Sequence, residues 1–178
     1  MSMKDGEITP IMALGHTTRL TILSLLTGSE LSASDVAREL GLTQANASYH
    51  LRYLLAAGLV EECAPVVIRG GAARRYRHPW RQGSHADPQV SHEDRAAWVA
   101  AFASLMIHRF ESYESHRGSS NGSFTDAELW VEPHVWSRAV SLLDEASALL
   151  HASAKPPRSK GTIRASLNVA AFRMRRTS

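Results

Sequence analysis

Side chains that can hydrogen-bond to nucleic acid are concentrated between residues 43 and 52. Glutamine, asparagine and arginine match the donors and acceptors of base edges in the major groove, and hydroxyl groups and arginine also bind phosphate oxygens. We expect them on the outward face of a helix, with His50 at the edge of that face. The set predicted to contact DNA is Thr43, Gln44, Asn46, Ser48, Tyr49, His50 and Arg52.

Arginine is the second recurrent group that could bind a polyanion. Between Cys63 and Ala86 the chain has five arginines and no acidic residue. Such cations can contact phosphates beside a groove, or enter a minor groove where the potential is most negative. The alternative is that they keep an exposed edge strand from pairing. The arginines predicted to contact DNA are Arg69, Arg74, Arg75 and Arg77.

The predicted DNA contacts between residues 43 and 52 must be positioned by two short helices joined by a tight turn. Ser32 and Asp35 have the spacing of a capping box, and Gly41 suits the left-handed position that ends a helix. Thr43 can cap the second helix, which we expect over residues 43–57. Two helices with a glycine-containing turn are typical of a helix-turn-helix, whose second helix enters the major groove. An ordinary helical hairpin is the alternative.

A β-hairpin is predicted directly after the second helix. Residues 59–68 are rich in valine, isoleucine and leucine, residues 69–73 contain a Gly-Gly pair, and residues 74–78 resume an extended pattern. A Gly-Gly pair between two such runs indicates a hairpin. Beside a helix-turn-helix, a hairpin with arginines around its tip is typical of a wing.

Three runs of residues share a pattern with a known family of regulators. They are His16 to Leu26, Ala47-Ser48-Tyr49-His50-Leu51, and Ala57-Gly58-Leu59-Val60. These runs are similar to the opening helix, the recognition helix and the first wing strand of winged-helix repressors of the ArsR type. The resemblance covers residues 9–80 and implies a homodimeric, DNA-binding transcription factor whose affinity is set by an effector.

The thiolate site of the metal-sensing members of that family is not matched. Where they carry Glu-Leu-Cys-x-Cys-Asp, this chain has serine at both cysteine positions, Ser32 and Ser34, and Cys63 is its single cysteine. Serine hydroxyls are poor ligands for soft metals. We therefore expect no cofactor and no thiolate metal site. The histidines and carboxylate of His108, Glu111 and His116 leave open a histidine/carboxylate metal-sensing regulator.

Composition narrows the class of protein further. The 178-residue chain is 44% hydrophobic and has a formal net charge of +3, which suits a polyanionic partner. It has no apolar run of about 18 residues and no signal-peptide pattern, so we expect a cytoplasmic protein without a membrane span. Glycine-rich phosphate loops, nucleophile elbows and His-Glu-x-x-His motifs are missing, so we expect no enzyme.

The second half of the chain is predicted to be helix, strand, helix, strand. Ser91 can cap a long helix with a broad apolar stripe, and Pro133 begins another. Alternating apolar residues predict strands over 127–131 and 163–171, and we expect these strands to pair. Charge differs sharply along this half: residues 81–152 carry five Lys and Arg against ten Asp and Glu, and residues 153–178 carry seven against none.

The predicted fold class is therefore mainly α with small β. It comprises a winged helix-turn-helix DNA-binding domain over residues 1–80, a connector over 81–91, and a C-terminal α/β module over 92–178 for dimerisation and effector sensing. In the basic tail, Arg173, Arg175 and Arg176 form either a DNA-contacting arm or a solvated end.

Aromatic residues outside the helix-turn-helix could line a pocket for a small apolar or aromatic effector. The residues expected there are Trp98, Phe102, Trp130 and Trp136. The alternative is that they form only core and dimer interface. The expected dimer seam consists of Phe102, Leu105, Phe110 and Tyr113, since soluble monomers rarely expose so long an apolar stripe.

These patterns together predict a DNA-binding transcriptional regulator, a repressor that binds an inverted-repeat operator as a homodimer. The face of residues 43–52 is polar, as base and phosphate contacts require. A winged-helix module that binds protein or RNA is a further alternative, and it would expose a large apolar patch instead.

Overall fold

Short local signals define the first two helices. The computed structural model describes residues 9–68, 71–80, 91–113 and 122–174. Helix α1 spans Pro10–Leu14 and α2 spans Thr17–Thr27. The Thr9 hydroxyl accepts a hydrogen bond from the Met12 amide, and the His16 ring accepts one from the Thr18 amide. Each side chain thus satisfies an amide that the first turn of its helix leaves free.

The helix-turn-helix is formed by α3 (Ala33–Leu40) and α4 (Gln44–Ala56). Ser32 and Asp35 make both hydrogen bonds of the predicted capping box, and the Thr43 hydroxyl accepts from the Asn46 amide. Gly41 has a φ of 65°, in the left-handed region that a Cβ disfavours. The predicted pair of helices and the turn between them are confirmed.

The wing is a β-hairpin within a three-stranded antiparallel sheet. Strand β1 is Leu31–Ser32, β2 is Glu61–Ile68 and β3 is Gly71–Arg77. The strand order is β1-β3-β2, and the register of β2 and β3 shifts between Cys63 and Val66. The sequence patterns missed β1, because two residues are too few to show an alternation.

The core lies where α2, α3, α4 and the base of the wing meet. Its largest fully buried side chains are Ile22, Leu26, Val36, Leu51, Leu54 and Val60. Truncating one such residue to alanine typically costs ~2–5 kcal/mol of stability. This packing holds α4 rigidly against the remainder of the domain.

Helix α5 (His92–Phe110) packs against α1 and α2. Ser91 accepts a hydrogen bond from the Asp94 amide, as its predicted capping role requires, and Ala101 and Leu105 are buried. A Cβ added to Gly15 would lie 3.3 Å from the Cβ of Ala97, so α5 and the end of α1 approach closely. The helix that we assigned to the C-terminal module therefore lies against the DNA-binding domain.

Helix α6 (Pro133–Ala152) has no buried residue. The fold class, mainly α with a small sheet, is confirmed, but the two strands expected in this half are not formed. Residues 127–131 and 163–171 are described and adopt neither helix nor strand. Alternation marks a potential strand, whereas a strand itself requires a neighbour for its backbone hydrogen bonds. Within the described ranges, no helix is both long and apolar enough to cross a membrane.

Candidate nucleic-acid interface

Helix α4 separates a polar outer face from an apolar inner one. Ala47, Leu51 and Leu54 are completely buried. The predicted DNA contacts on the other side are accessible: Gln44, Asn46, Tyr49 and Arg52 are exposed, as is the capping residue Thr43, and Ser48 is half-buried. The structure thus brings six of the seven residues predicted between 43 and 52 to the outside of the domain.

His50 is the exception, and its expected position at the edge of the groove is wrong. The side chain is 5% exposed, and its ring lies 5.0 Å from that of His16 between centroids. Residues 47, 50, 51 and 54 have the i, i+3, i+4, i+7 spacing of a single helix face. That spacing places His50 on the buried stripe and could have revealed its position from the sequence.

Arg19, which belongs to the run similar to the opening helix of the ArsR-type repressors, is a structural residue of the site. Its side chain is buried and donates hydrogen bonds to the carbonyl oxygens of Ala13 and Met12. The guanidinium carbon also lies 4.3 Å from the centre of the Tyr53 ring, a cation–π contact. Arg19 therefore links the end of α1 to α2 and α4.

The two packed histidines have perturbed acidities. Burial lowers the pKa of His50, and the charge that His16 carries when it is protonated and the charge of Arg19 lower it further. Burial and then the charge of Arg19 also lower the pKa of His16. Both rings are consequently neutral near pH 7, and a proton added to either one would lie beside the Arg19 cation.

The described arginines of the wing are each paired with a glutamate. Arg74 lies 3.0 Å from Glu62, and Arg77 lies 3.0 Å from Glu61. Residue patterns do not predict these partners, because they depend on the strand register, in which Glu61 lies opposite Arg77. Arg69 lies outside the described residues.

Arg75 has a different role from the other two arginines. It donates a hydrogen bond to the backbone carbonyl of Glu30, and its guanidinium lies 3.6 Å from the Glu30 carboxylate. Ser32 lies opposite Arg75 in the pairing of β1 with β3. The side chain thus anchors the segment that precedes α3 to the wing.

The four residues expected to line an effector pocket are only partly brought together. The rings of Trp98 and Phe102 are half-buried, with centroids 6.2 Å apart. Trp130 is 88% exposed, which is inconsistent with an enclosed pocket wall in this chain. Trp136 is half-buried on α6. An open pocket of about 510 Å³ between Leu26, Arg75 and Pro156 contains none of the four.

The expected dimer seam also needs one correction. Leu105 is 7% exposed, because it faces the side of α5 that packs within the chain. Phe110 and Tyr113 are 57% and 40% exposed, and Phe102 is half-buried. The rings of Phe110 and Tyr113 stack on each other, and both contact the edge or face of Phe124.

Two of the three residues considered for metal binding, His108 and Glu111, lie close together. His108 Nδ1 lies 3.3 Å from Glu111 Oε2, both side chains are exposed, and His116 lies outside the described residues. In the part of the chain that the structure describes, no group of three histidine, cysteine or acidic residues could hold a metal ion. Burial raises the pKa of the half-buried Cys63 thiol, which disfavours the thiolate.

Comparison with known proteins agrees with this geometry. Residues 14–63 match the family model described as a helix-turn-helix domain. The match covers α2, α3, α4 and the beginning of the wing, and it supports a DNA-binding regulator. No curated protein matches the chain.

Proposed function

We propose that this chain is a transcriptional repressor that binds double-stranded DNA as a homodimer on an inverted-repeat operator. The proposal rests on the two different faces of α4. One face exposes Gln44, Asn46, Tyr49 and Arg52, and the opposite apolar face is buried in the core. A recognition helix needs this division, because its outer face must remain polar while its inner face is held by the core.

Helix α4 supplies sequence readout in this proposal. Gln44 and Arg52 are eight residues apart on the exposed side of the helix and carry the planar groups that pair bidentately with adenine and guanine. Thr43 and Ser48 hydroxyls and the Tyr49 phenol are suited to phosphates or base edges. The wing arginines Arg74 and Arg77 contribute phosphate contacts by leaving their glutamate partners.

The homodimer is supported by the apolar surface of the second half. Phe110, Tyr113, Leu149 and Leu150 are all more than one third exposed, and α6 contains no buried residue. Closed twofold symmetry is the commonest way to cover such a surface. A twofold axis would place two α4 helices about 34–36 Å apart, on successive major grooves.

Effector control belongs to the same proposal. Trp98 and Phe102 pair on α5, Trp98 packs against the core, and α5 lies on α2. Helix α2 in turn holds α4 through the contact between Arg19 and Tyr53. A small apolar or aromatic molecule bound near Trp98 would therefore act on the recognition helix through packed elements.

The experiment is selection of binding sites from a random duplex pool with the full-length protein. We expect an enriched inverted repeat, with half-sites one helical turn apart, and a strong dependence of affinity on salt concentration. The Gln44→Ala/Arg52→Ala variant should lose the enrichment, whereas Arg138→Ala, an exposed arginine of α6, should retain it. A pool that shows no enriched sequence with the wild-type protein would contradict the proposal.

A further inference from the structure

Two segments of the second half have a backbone that no other described residue pairs with. Residues 122–131 and 163–174 make no backbone–backbone hydrogen bond to any described part of the chain. Their large apolar side chains are also solvated: Leu129 is 72% exposed, Trp130 88% and Ile163 89%. Unpaired peptide groups next to exposed apolar side chains are the features of a strand without a neighbour.

Charge indicates what each segment would pair with. Residues 122–131 contain Asp126 and Glu128 and no basic residue, whereas residues 163–174 contain Arg164 and Arg173 and no acidic residue. Opposite charges across neighbouring strands stabilise a sheet, and like charges destabilise it. Each segment is thus complementary to the other and would be repelled by a copy of itself.

Within the described ranges, these four charged side chains form no ion pair. Among the described residues, ion pairs involve other acids and bases, such as Glu39 with Arg158 and Glu145 with Arg138. Arg164 instead lies near a second cation: burial and then the charge of Arg164 lower the pKa of Arg109. A carboxylate brought to Arg164 would relieve that repulsion.

Helix α6 provides an apolar surface on which a sheet formed by these segments could pack. It exposes Leu142, Leu143, Leu149 and Leu150, and two strands alone are marginally stable in water without a packed face. The C-terminal end of α6 is anchored by His151, whose ring stacks on Trp80 with 4.3 Å between centroids, and the segment after the helix is anchored by Arg158, which pairs with Glu39 at 3.1 Å. The apolar side of the paired segments, with Leu129 and Ile163, would cover the exposed leucines.

We infer that residues 122–131 of one copy pair with residues 163–174 of a second copy, and reciprocally, to form intersubunit strands that close over α6. The occupant is a second copy because the acidic and basic segments are complementary to each other, and neither pairs with any described residue of its own chain. The inference rests on the homodimer of the proposed function and assigns its interface to these segments, in addition to the exposed end of α5.

The test uses charge reversal in two differently tagged full-length chains. Asp126→Lys/Glu128→Lys makes both segments of one chain basic, and Arg164→Glu/Arg173→Glu makes both segments of the other acidic. We expect each variant alone to dimerise more weakly than the wild type, by on the order of tenfold, because like charges then oppose each other. Co-expression should restore a heterodimer, which native mass spectrometry distinguishes from the two homodimers by mass.

Mixing the two charge-reversed variants distinguishes pairing between copies from pairing within one chain. If the segments paired within a chain, combining all four substitutions in one chain would restore it, and mixing the two variants would not. That outcome would overturn the inference. Glu93→Lys, at the exposed start of α5, and Lys160→Glu are the matched controls, since both reverse charges outside the segments and outside α6 and should give neither weakening nor preferential heterodimers.

A second measurement applies even if a charge-reversed chain fails to fold. In a Cys63→Ser background, single cysteines scanned through residues 122–131 of one tagged chain should include at least one that forms a disulfide with Arg164→Cys of the other, because one position must lie opposite Arg164 in the paired strands. Ala45→Cys, exposed on α4 and outside the proposed interface, should form none with Arg164→Cys. Absence of the mixed disulfide would contradict the inference, and neither measurement involves DNA, so failure here is distinguishable from failure of DNA binding.

Discussion

His50 of the recognition helix packs its ring against that of His16, at the start of α2, with 5.0 Å between centroids. The Nδ1 atom of His50 is buried and has no hydrogen-bond partner among the described residues. Arg19 lies in the same contact region and, by its charge, contributes to the lowered pKa of each ring. A packed pair of neutral histidines therefore joins the DNA-contacting helix to the body of the domain.

The first prediction concerns pH. Because both histidines have a folded pKa below the ordinary value, the unfolded chain binds more protons as the pH falls through about 6.5. The free energy of unfolding is thus highest above that pH. Below it, the free energy of unfolding falls by up to about 1.4 kcal/mol per pH unit for each proton. Urea unfolding between pH 7.5 and pH 5 measures the slope.

The matched variants identify the source of that slope. His50→Leu should flatten the pH dependence, because it removes one of the two titrating groups, while Ser137→Ala, an exposed change on α6 that alters no titratable group, should leave it unchanged. A slope equal to that of the wild type in His50→Leu would contradict the assignment.

The second prediction concerns base recognition by α4. Replacement of Gln44 or Arg52 by alanine should weaken operator binding by ~1–3 kcal/mol and relax the preference at one base position. Competition gel shifts with cognate and scrambled duplexes measure both effects. An equal loss on the two duplexes would show that these residues contact phosphates instead of bases.

The third prediction concerns the ion pairs of the wing. Removing Arg74 or Arg77 should lower affinity on every sequence and reduce the salt slope by about one each. Glu62→Gln should have the opposite effect and tighten binding, because it releases Arg74 from its 3.0 Å pair. Arg38→Ala, an exposed arginine of α3, is the control. Unchanged slopes in both wing variants would exclude phosphate contacts by these arginines.

The fourth prediction concerns Arg19. Arg19→Leu should destabilise the domain by about 2–3 kcal/mol, because it leaves the carbonyl oxygens of Met12 and Ala13 without their charged donor. Arg38→Ala removes an exposed ion pair with Asp35 and should cost less than about 1 kcal/mol. Chemical denaturation of the two variants compares them directly, and equal losses would show that the burial of Arg19 adds no stability.

The fifth prediction concerns oligomeric state. Sedimentation of the wild-type chain at micromolar concentration should give a dimer, and Phe110→Asp should give a monomer that no longer binds the operator tightly. Ser104→Asp, also exposed on α5, should remain dimeric. A well-behaved wild-type monomer would exclude both the dimer and the palindromic operator.

The helix-turn-helix could be predicted from the sequence because its signals are local. The capping box of Ser32 and Asp35, the left-handed Gly41 and the cap at Thr43 act within a few residues, and each forms as expected. The hairpin of the wing could also be predicted from a local signal, the Gly-Gly pair between two β-prone runs. The outward face of α4 followed from helical periodicity, which also contained the evidence that His50 turns inward.

Only the tertiary structure decided which distant residues meet. The pairing of Glu62 with Arg74 depends on strand register, and the burial of Leu105 depends on where α5 packs. The segments around Leu129 and Ile163 alternate like strands, yet no described part of the chain supplies their hydrogen bonds. A helix satisfies its own backbone and can be predicted from nearby residues, whereas a strand exists only when another strand lies beside it.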